Sequence, residues 1–368
     1  MINYVDLAIN NLVIKNKILT NINEIFENGQ YILGGYNYLL EEKIKKYLNV
    51  QYVLGVNSGT DALILALKSL GIGKGDEVIT VSNSFFATAA AIVAVGAKPI
   101  LVDIDRSRNI DISKIEESIS PNVKAIIPVH LDGNPCDMGK ICEIARKYNI
   151  YIVEDAAQAF GSGIGEKYVG TFGDIGCFSF HPLKTLSGAG DGGLIITDNK
   201  EIYEKILKLR NHGLTSRDDV SIWGLNSRLD ELQAAILSVK IDYIDDVKMV
   251  RNNFAKIYKE LLNPIYISYP EQVINSHQNY NSFVIFVKKR DKLVNYLSKH
   301  GVECKIHYPI PIHKQSPFIE EFGETILEQT ELQSEEILSL PIHENHSVED
   351  IQIVCHLINK FFESEKYE

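Results

Sequence analysis

The chain has 368 residues, of which 45% are hydrophobic and 23% are charged, and its formal net charge at pH 7 is -11. This length and composition are typical of a globular protein with one large domain and a smaller one. The excess of acidic residues argues against a nucleic-acid-binding protein and against docking on an anionic membrane surface.

Through the first part of the chain, short apolar runs alternate with amphipathic segments. Continuous apolar runs are typical of strands buried on both faces, and their alternation with helices predicts a mostly parallel α/β sheet covered by helices. The predicted strands are 53–56, 77–81, 99–103, 125–130, 151–155, 176–180 and 193–197, and the predicted helices include 61–68, 87–95 and 138–147.

After about residue 238 the pattern changes. A long charged helical segment at 247–262 precedes a predicted strand at 280–287 and a helix at 290–300. This order is typical of an α+β unit. We therefore expect a large α/β domain with an N-terminal arm over residues 1–240 and a small C-terminal α+β domain over residues 241–368.

The sequence shows no targeting or membrane-spanning pattern. Its first residues lack the basic-then-apolar order of a signal peptide. The most apolar region, 85–102, is interrupted by Gly96 and Pro99, whereas a membrane span needs about 20 unbroken apolar residues. The five cysteines form no CxxC pair, and no Cys, His and carboxylate cluster has metal-ligand spacing. We expect a cytoplasmic protein with reduced thiols and no metal site.

Several chemically useful residues follow the ends of predicted strands. Thr60, Phe85, Asp155 and Ser179 all lie at or just past such ends. Because ligands bind beyond the carboxyl ends of strands in open α/β sheets, these residues should line one crevice. The Asp155 carboxylate needs a partner there, and a protonated heterocyclic nitrogen would be one. The alternative is that Asp155 caps a following helix.

The segment around Gly59 favours a phosphate site. Gly59 permits close approach of a ligand, and the helix that starts near Thr60 offers unpaired N–H groups. The alternative is that Ser58 or Thr60 is only a helix cap. The Ser179 hydroxyl lies in an apolar strand and needs a partner, for which phosphate is a candidate. Phe85 either stacks on an aromatic ligand or packs in the core.

Lys184 lies between an apolar strand and a glycine-rich turn. A free lysine has a pKa of about 10.4 and is a poor nucleophile at neutral pH. Partial burial would favour the neutral amine, which can form a Schiff base. The alternative is an ordinary solvated charge.

Several segments resemble, in the same order, motifs of the DegT/DnrJ/EryC1/StrS family of sugar aminotransferases, which depend on pyridoxal 5'-phosphate (PLP). The resemblance extends over nearly the whole chain and implies the fold type I, aspartate aminotransferase-like architecture. The segments are Ser58–Ala62, Val129–Gly133, Glu154–Gln158, Phe178–Lys184, Gly190–Gly193 and Asn226–Gln233.

The resemblance implies roles for individual residues. Lys184 would form the Schiff base with PLP, and Asp155 would pair with the pyridinium nitrogen. Gln158 would contact the phenolic oxygen, and Phe85 would stack on the ring. The phosphate would be held by Gly59, Thr60 and Ser179, and by Asn226 of the neighbouring subunit in a homodimer with shared active sites.

The resemblance further implies transfer of an amino group from L-glutamate to a keto-sugar nucleotide. The Gly-Asp-Gly-Gly segment after Lys184 favours a dTDP-3-keto-6-deoxyhexose and a 3-amino product. A 4-keto sugar nucleotide and a smaller phosphorylated ketone are the alternatives. Candidate acceptor contacts are Arg217, on a polar loop, and His307, Tyr308 and His313 in a Pro-rich segment. Both segments are also compatible with ordinary surface loops.

Two other classes remain as alternatives. A PLP-dependent sugar dehydratase of this family carries histidine in place of the lysine, so Lys184 argues against that branch. A PLP-binding regulator without turnover has no need for Lys184, Asp155 and Gln158 together.

Overall fold

The computed structural model describes residues 1–364. The α-helices are α1 (Leu12–Asn28), α2 (Gly35–Leu48), α3 (Gly59–Ser69), α4 (Ala87–Ala94), α5 (Ile112–Ile115), α6 (Met138–Tyr148), α7 (Lys200–Leu209), α8 (Glu231–Lys240), α9 (Ile244–Leu261), α10 (Arg290–Lys299), α11 (Ser316–Phe322), α12 (Glu328–Glu336) and α13 (Val348–Ser364). The strands are β1 (Tyr52–Val56), β2 (Glu77–Val81), β3 (Lys98–Val102), β4 (Val123–Ile126), β5 (Tyr151–Asp155), β6 (Gly163–Ile164), β7 (Lys167–Tyr168), β8 (Ile175–Ser179), β9 (Gly193–Thr197), β10 (Ile267–Ser268), β11 (Ser276–His277), β12 (Phe283–Val287) and β13 (Ile337–Leu340). Single 3₁₀ turns lie at Glu116–Ser118, Leu131–Gly133, Ile241–Tyr243 and Ile312–Lys314.

The central sheet has seven strands within the described residues, in the order β1-β9-β8-β5-β4-β2-β3. β2 pairs in parallel with β3 and β4, and β5 pairs in parallel with β4 and β8. β9 runs antiparallel to both β1 and β8. Parallel neighbours need a crossover, usually a helix, and residues 180–192 between β8 and β9 contain none, so the chain turns back on itself. The prediction of a mostly parallel α/β sheet is confirmed.

Helices bury both faces of this sheet. Successive residues of a strand point to opposite faces. Accordingly, Ile195 of β9 belongs to a core with Leu67 of α3, whereas its neighbour Leu194 belongs to a core with Leu40 of α2 and Leu237 of α8. Burial on both faces explains why these strands read as unbroken apolar runs.

A second antiparallel sheet, in the order β10-β12-β13, shares a separate hydrophobic core with α9, α10 and α13. The buried Ile2 side chain belongs to this core, and its backbone bridges that of Val302. We propose that the chain divides near residue 240 into a larger and a smaller domain. The first residues then pack on the smaller domain because Ile2 finds its apolar partners there.

Two predicted strands are shorter in the structure. β4 ends at Ile126, before Pro128, which has no N–H to donate to a neighbouring strand. β12 begins at Phe283, after Tyr280, whose positive φ of 48° lies outside the β region. No helix in residues 1–364 combines the length and apolar character needed to cross a membrane.

Candidate active site

A cavity of about 450 Å³ opens at the carboxyl ends of the parallel strands. Strand ends converge there because parallel strands finish at the same edge of the sheet, and loops then carry side chains over that edge. Most residues predicted from the sequence line this cavity: Gly59, Thr60, Phe85, Asp155, Gln158, Ser179, Lys184, His307 and Tyr308.

Lys184 lies in the loop between β8 and β9, and its side chain is partly buried at the cavity wall. Its backbone N–H donates to the His181 carbonyl at 2.9 Å, which closes a tight turn. Burial lowers the pKa of Lys184 from 10.5 to about 8, and the carboxylates of Asp155 and Asp132 limit the fall. About one amine in ten is then neutral at pH 7, which suits a nucleophile. The structure therefore does not place Lys184 as a solvated surface charge.

Asp155 ends β5, and its side chain is buried. Its Oδ2 accepts a hydrogen bond from Thr88 Oγ1 at 2.8 Å, and its Oδ1 accepts one from the Ala157 N–H at 3.2 Å. Burial raises the pKa of Asp155, and these two hydrogen bonds oppose the rise. In the described chain the next regular element after β5 is strand β6, so Asp155 does not cap a helix. Its carboxylate faces the cavity beside Lys184.

Gln158 is oriented by two hydrogen bonds. Its Oε1 accepts from the Asp132 N–H at 2.8 Å, and its Nε2 donates to the Tyr308 hydroxyl at 3.1 Å. The carbonyl oxygen of the side chain is thus held by the backbone, and its amide nitrogen contacts Tyr308, which also lines the cavity. A donor at this position suits an anionic oxygen on a bound ligand.

The N-terminus of α3 forms one wall of the cavity. Ser58 Oγ accepts from the Asp61 N–H at 3.1 Å, so Ser58 is the helix cap, as one alternative held. Gly59 and Thr60 form the first turn, where unpaired N–H groups favour an anion. A Cβ on Gly59 would lie 2.9 Å from the Ser179 Cβ, so only glycine fits this close approach. The Ser58 cap is therefore compatible with an anion at the same helix N-terminus.

Phe85 does not pack in the core. Its side chain is 59% exposed at the cavity edge, and its ring centroid lies 6.0 Å from that of Tyr308. An exposed aromatic ring beside a cavity is suited to stacking on a ligand ring.

Three predicted residues lie outside the cavity. His313 is fully buried: its N–H donates to Ser82 Oγ at 3.1 Å, its Nδ1 lies 2.6 Å from that hydroxyl, and its Nε2 lies 3.0 Å from Glu331 Oε1. Both ring nitrogens are thus engaged within the protein, and His313 has no ring nitrogen left to contact the acceptor substrate. Arg217 and Asn226 are exposed and do not line this cavity.

No role was predicted from the sequence for three residues at or beside this site: Arg108, Asp132 and Tyr4. Arg108 is buried and forms an ion pair with Asp132, which lies in a recognised motif. Tyr4 lines the cavity from the N-terminus, with its hydroxyl 3.3 Å from Ser282 Oγ. Positive φ at the non-glycine residues Arg108 and Asp132 follows from no local pattern, so sequence periodicity has no signal for this pair.

The sequence model of the DegT/DnrJ/EryC1/StrS aminotransferase family matches residues 13–359. The chain belongs to this family. It is a PLP-dependent aminotransferase. The family match extends from α1 into α13, across both hydrophobic units of the fold.

Individual members are similar over their full length. The UDP-N-acetyl-3-dehydro-alpha-D-glucosamine 3-aminotransferase of Acidithiobacillus ferrooxidans is 40% identical, over 97% of this chain and 96% of that protein. The dTDP-3-amino-3,6-dideoxy-alpha-D-galactopyranose transaminase of Aneurinibacillus thermoaerophilus is 41% identical, over 98% of this chain and 99% of that protein. The crystal structure of S. venezuelae DesV in complex with a ketimine intermediate superposes with a TM-score of 0.94, at 32% identity and over 97% of each chain.

The cavity of this aminotransferase fits PLP. It combines an amine of lowered pKa with a buried carboxylate, which suit an aldehyde and a protonated ring nitrogen. The Gly59 cradle, which a Cβ would fill, lies at a helix N-terminus suited to the phosphate. Within residues 1–364 no cluster of His, Cys, Asp and Glu is arranged to hold a metal ion.

Proposed function

We propose that this aminotransferase moves an amino group from L-glutamate to a keto-sugar nucleotide, and that the acceptor is a dTDP-3-keto-6-deoxyhexose, which yields a 3-amino sugar. The two relatives named above support this acceptor class, because their names place amination at C3 of a UDP-linked or a dTDP-linked sugar. The observation that carries the proposal is the cavity that joins the Lys184 amine, the Asp155 carboxylate and the α3 N-terminus.

In this proposal, Lys184 is the covalent anchor and the proton carrier. When bound, PLP supplies an electron sink that stabilises negative charge on the donor α-carbon. Lys184 Nζ would take the proton from that carbon and pass it to the cofactor and, in the reverse half-reaction, would take it back and deliver it to the acceptor carbon. The Asp155 carboxylate keeps the facing ring nitrogen protonated, because a buried carboxylate is stabilised by a positive partner.

The remaining cavity residues bind and orient the cofactor. Backbone N–H groups at Gly59 and Thr60, with the Ser179 hydroxyl, hold the phosphate. The Gln158 amide nitrogen donates to the phenolic oxygen, since the carbonyl oxygen of that side chain already accepts from the Asp132 N–H. Phe85 stacks on the ring from the exposed edge of the cavity.

We also propose a homodimer whose active sites are shared. Trp223 is 94% exposed and Phe86 is 40% exposed, so both aromatic side chains are available to a partner subunit. Asn226 lies near Trp223 on the chain, is exposed and does not line the cavity of its own subunit. It would reach the phosphate in the partner subunit's site, and Arg217 would meet the acceptor phosphates there.

Subunit mixing tests the shared site. A Lys184→Ala subunit and an Asn226→Ala subunit are each impaired alone, but their mixed dimer contains one site with both residues intact. Recovery of activity after the two variants are mixed and reassembled is expected. Two impaired variants that stay inactive after demonstrated subunit exchange would contradict the proposal.

The acceptor is tested with the glutamate-loaded enzyme and a panel of ketones. The panel contains 3-keto and 4-keto nucleotide sugars with dTDP or UDP, and a phosphorylated keto sugar without a nucleotide. L-Glutamate should bleach the visible absorbance, and a dTDP-3-keto-6-deoxyhexose should restore it fastest. Faster recovery of the absorbance with a 4-keto nucleotide sugar or with the phosphorylated ketone would identify that compound as the acceptor instead. Colour that glutamate never bleaches would indicate a lyase or a regulator instead.

A further inference from the structure

A closed ring of contacts joins the floor of the cavity to the C-terminal segment that forms its wall. The Arg108 guanidinium donates to Asp132 Oδ2 through Nη1 and to the His307 carbonyl through Nη2. The Asp132 N–H donates to Gln158 Oε1, and Gln158 Nε2 donates to the Tyr308 hydroxyl. Tyr308 follows His307 in the chain, which closes the ring.

The ion pair in this ring is held in an unusual conformation. Arg108 is 1% exposed and Asp132 is 6% exposed. Their φ angles are 70° and 59°, in the left-handed region that residues other than glycine seldom adopt. A buried ion pair alone is weak evidence for stabilisation, and strained backbone of this kind is concentrated at functional sites. The position of the pair therefore calls for a role in the neighbouring cavity.

The direction of the hydrogen bonds indicates that role. Gln158 Nε2 can only donate, so the Tyr308 oxygen accepts and keeps its own hydrogen for another partner. Tyr308 and Gln158 line the cavity, whereas Arg108 lies behind it. Burial and the neighbouring Asp132 carboxylate raise the pKa of the Tyr308 hydroxyl, which keeps that hydrogen in place at working pH.

We propose that Arg108 is a positioning residue: by clamping the His307 carbonyl to the Asp132 carboxylate, it holds the Tyr308 hydroxyl against Gln158 so that Tyr308 donates a hydrogen bond to the substrate in the cavity. The proposal rests on the proposed function, because it requires a substrate beside the cofactor. A lysine cannot replace Arg108 in this role, since a single ammonium lacks the planar fork that reaches two acceptors.

The test compares Arg108→Lys, Tyr308→Phe and the double variant. Loss of one positioned hydrogen bond lowers kcat/KM about tenfold, so each single variant should show a loss of that size. If Arg108 acts through Tyr308, the double variant should again lose about tenfold, whereas independent effects would multiply to about a hundredfold. A multiplied loss, or a wild-type kcat/KM in either single variant, would overturn the proposal.

Cofactor capture gives a readout that does not depend on turnover. The dissociation constant for PLP, followed by the visible absorbance of the protein, should stay within about twofold of wild type in both single variants, since neither side chain is assigned to the cofactor. Weakening of PLP binding in Arg108→Lys comparable to the loss in kcat/KM would show that Arg108 supports the cavity floor as a whole and would overturn the link to Tyr308.

A matched control separates this role from general stability. Arg290 also bridges a carboxylate and a backbone carbonyl, through Asp291 Oδ1 and the Ser334 carbonyl, and it lies outside the cavity. Arg290→Lys should leave kcat/KM unchanged. Bleaching of wild-type protein by L-glutamate is checked first. Absence of bleaching would refute the proposed function. If bleaching occurs but the kcat/KM values of the variants differ from those expected, only the role of Arg108 is refuted.

Discussion

Replacement of Asp155 by asparagine should preserve or speed the capture of PLP and should lower turnover. Burial lowers the pKa of Lys184, and of the neighbouring charges the Asp155 carboxylate does most to oppose that fall. The isosteric Asp155→Asn removes that charge, so the pKa of Lys184 should fall below its value of about 8. A larger fraction of neutral amine at pH 7 means that capture of PLP by the apoenzyme should be at least as fast as in wild type.

Turnover should fall steeply in the same variant. The asparagine amide cannot stabilise a proton on the facing ring nitrogen, and breaking one side of a buried charge pair costs about 3–5 kcal/mol, or on the order of a hundredfold to several thousandfold in kcat. Ordinary damage to the fold would instead impair capture and turnover together. The opposite signs therefore identify the electrostatic role of Asp155.

Two measurements check this prediction. The pH dependence of PLP capture, followed by the growth of visible absorbance, reports the Lys184 midpoint, and rapid mixing with L-glutamate reports the donor half-reaction. Asp191→Asn is the control for the midpoint: Asp191 also lines the cavity but does not contribute to the pKa of Lys184. A capture midpoint that stays or rises in Asp155→Asn, or a preserved kcat, would refute the reasoning.

Three further predictions concern single residues. Lys184→Ala should bind PLP without covalent attachment and have no turnover; a borohydride-fixed adduct elsewhere on the chain, seen by mass spectrometry, would contradict it. Gly59→Ala should weaken PLP binding about tenfold or more, because its Cβ would lie 2.9 Å from the Ser179 Cβ, and a PLP dissociation constant near wild type would contradict this. His313→Ala should lower the free energy of unfolding by about 1–3 kcal/mol while kcat/KM stays near wild type, since it removes a buried imidazole that hydrogen-bonds Ser82 Oγ and Glu331 Oε1. Unchanged stability in denaturant titration, or a selective rise in KM for the acceptor, would indicate that His313 belongs to the acceptor site.

Local sequence patterns determine the elements of this protein. Strands buried on both faces are mostly apolar, so β2, β5 and β9 were predicted with the bounds that the structure shows. The errors lie at strand ends, where Pro128 and the left-handed backbone of Tyr280 stop pairing that the apolar pattern would have continued. The order of strands in the sheet depends on contacts between distant segments, which periodicity does not describe.

The sequence by itself also predicted, from short strand-end motifs, that Asp155, Gly59 and Lys184 take part in a site, and the structure brings all three to one cavity. Only the tertiary structure decided that His313 ties buried segments together instead of facing the cavity. It also decided that Arg108 reaches the carbonyl of His307, 199 positions away. The physical reason is that burial and hydrogen-bond partners arise from packing between segments far apart in the chain, and a residue's own neighbours in sequence do not specify them.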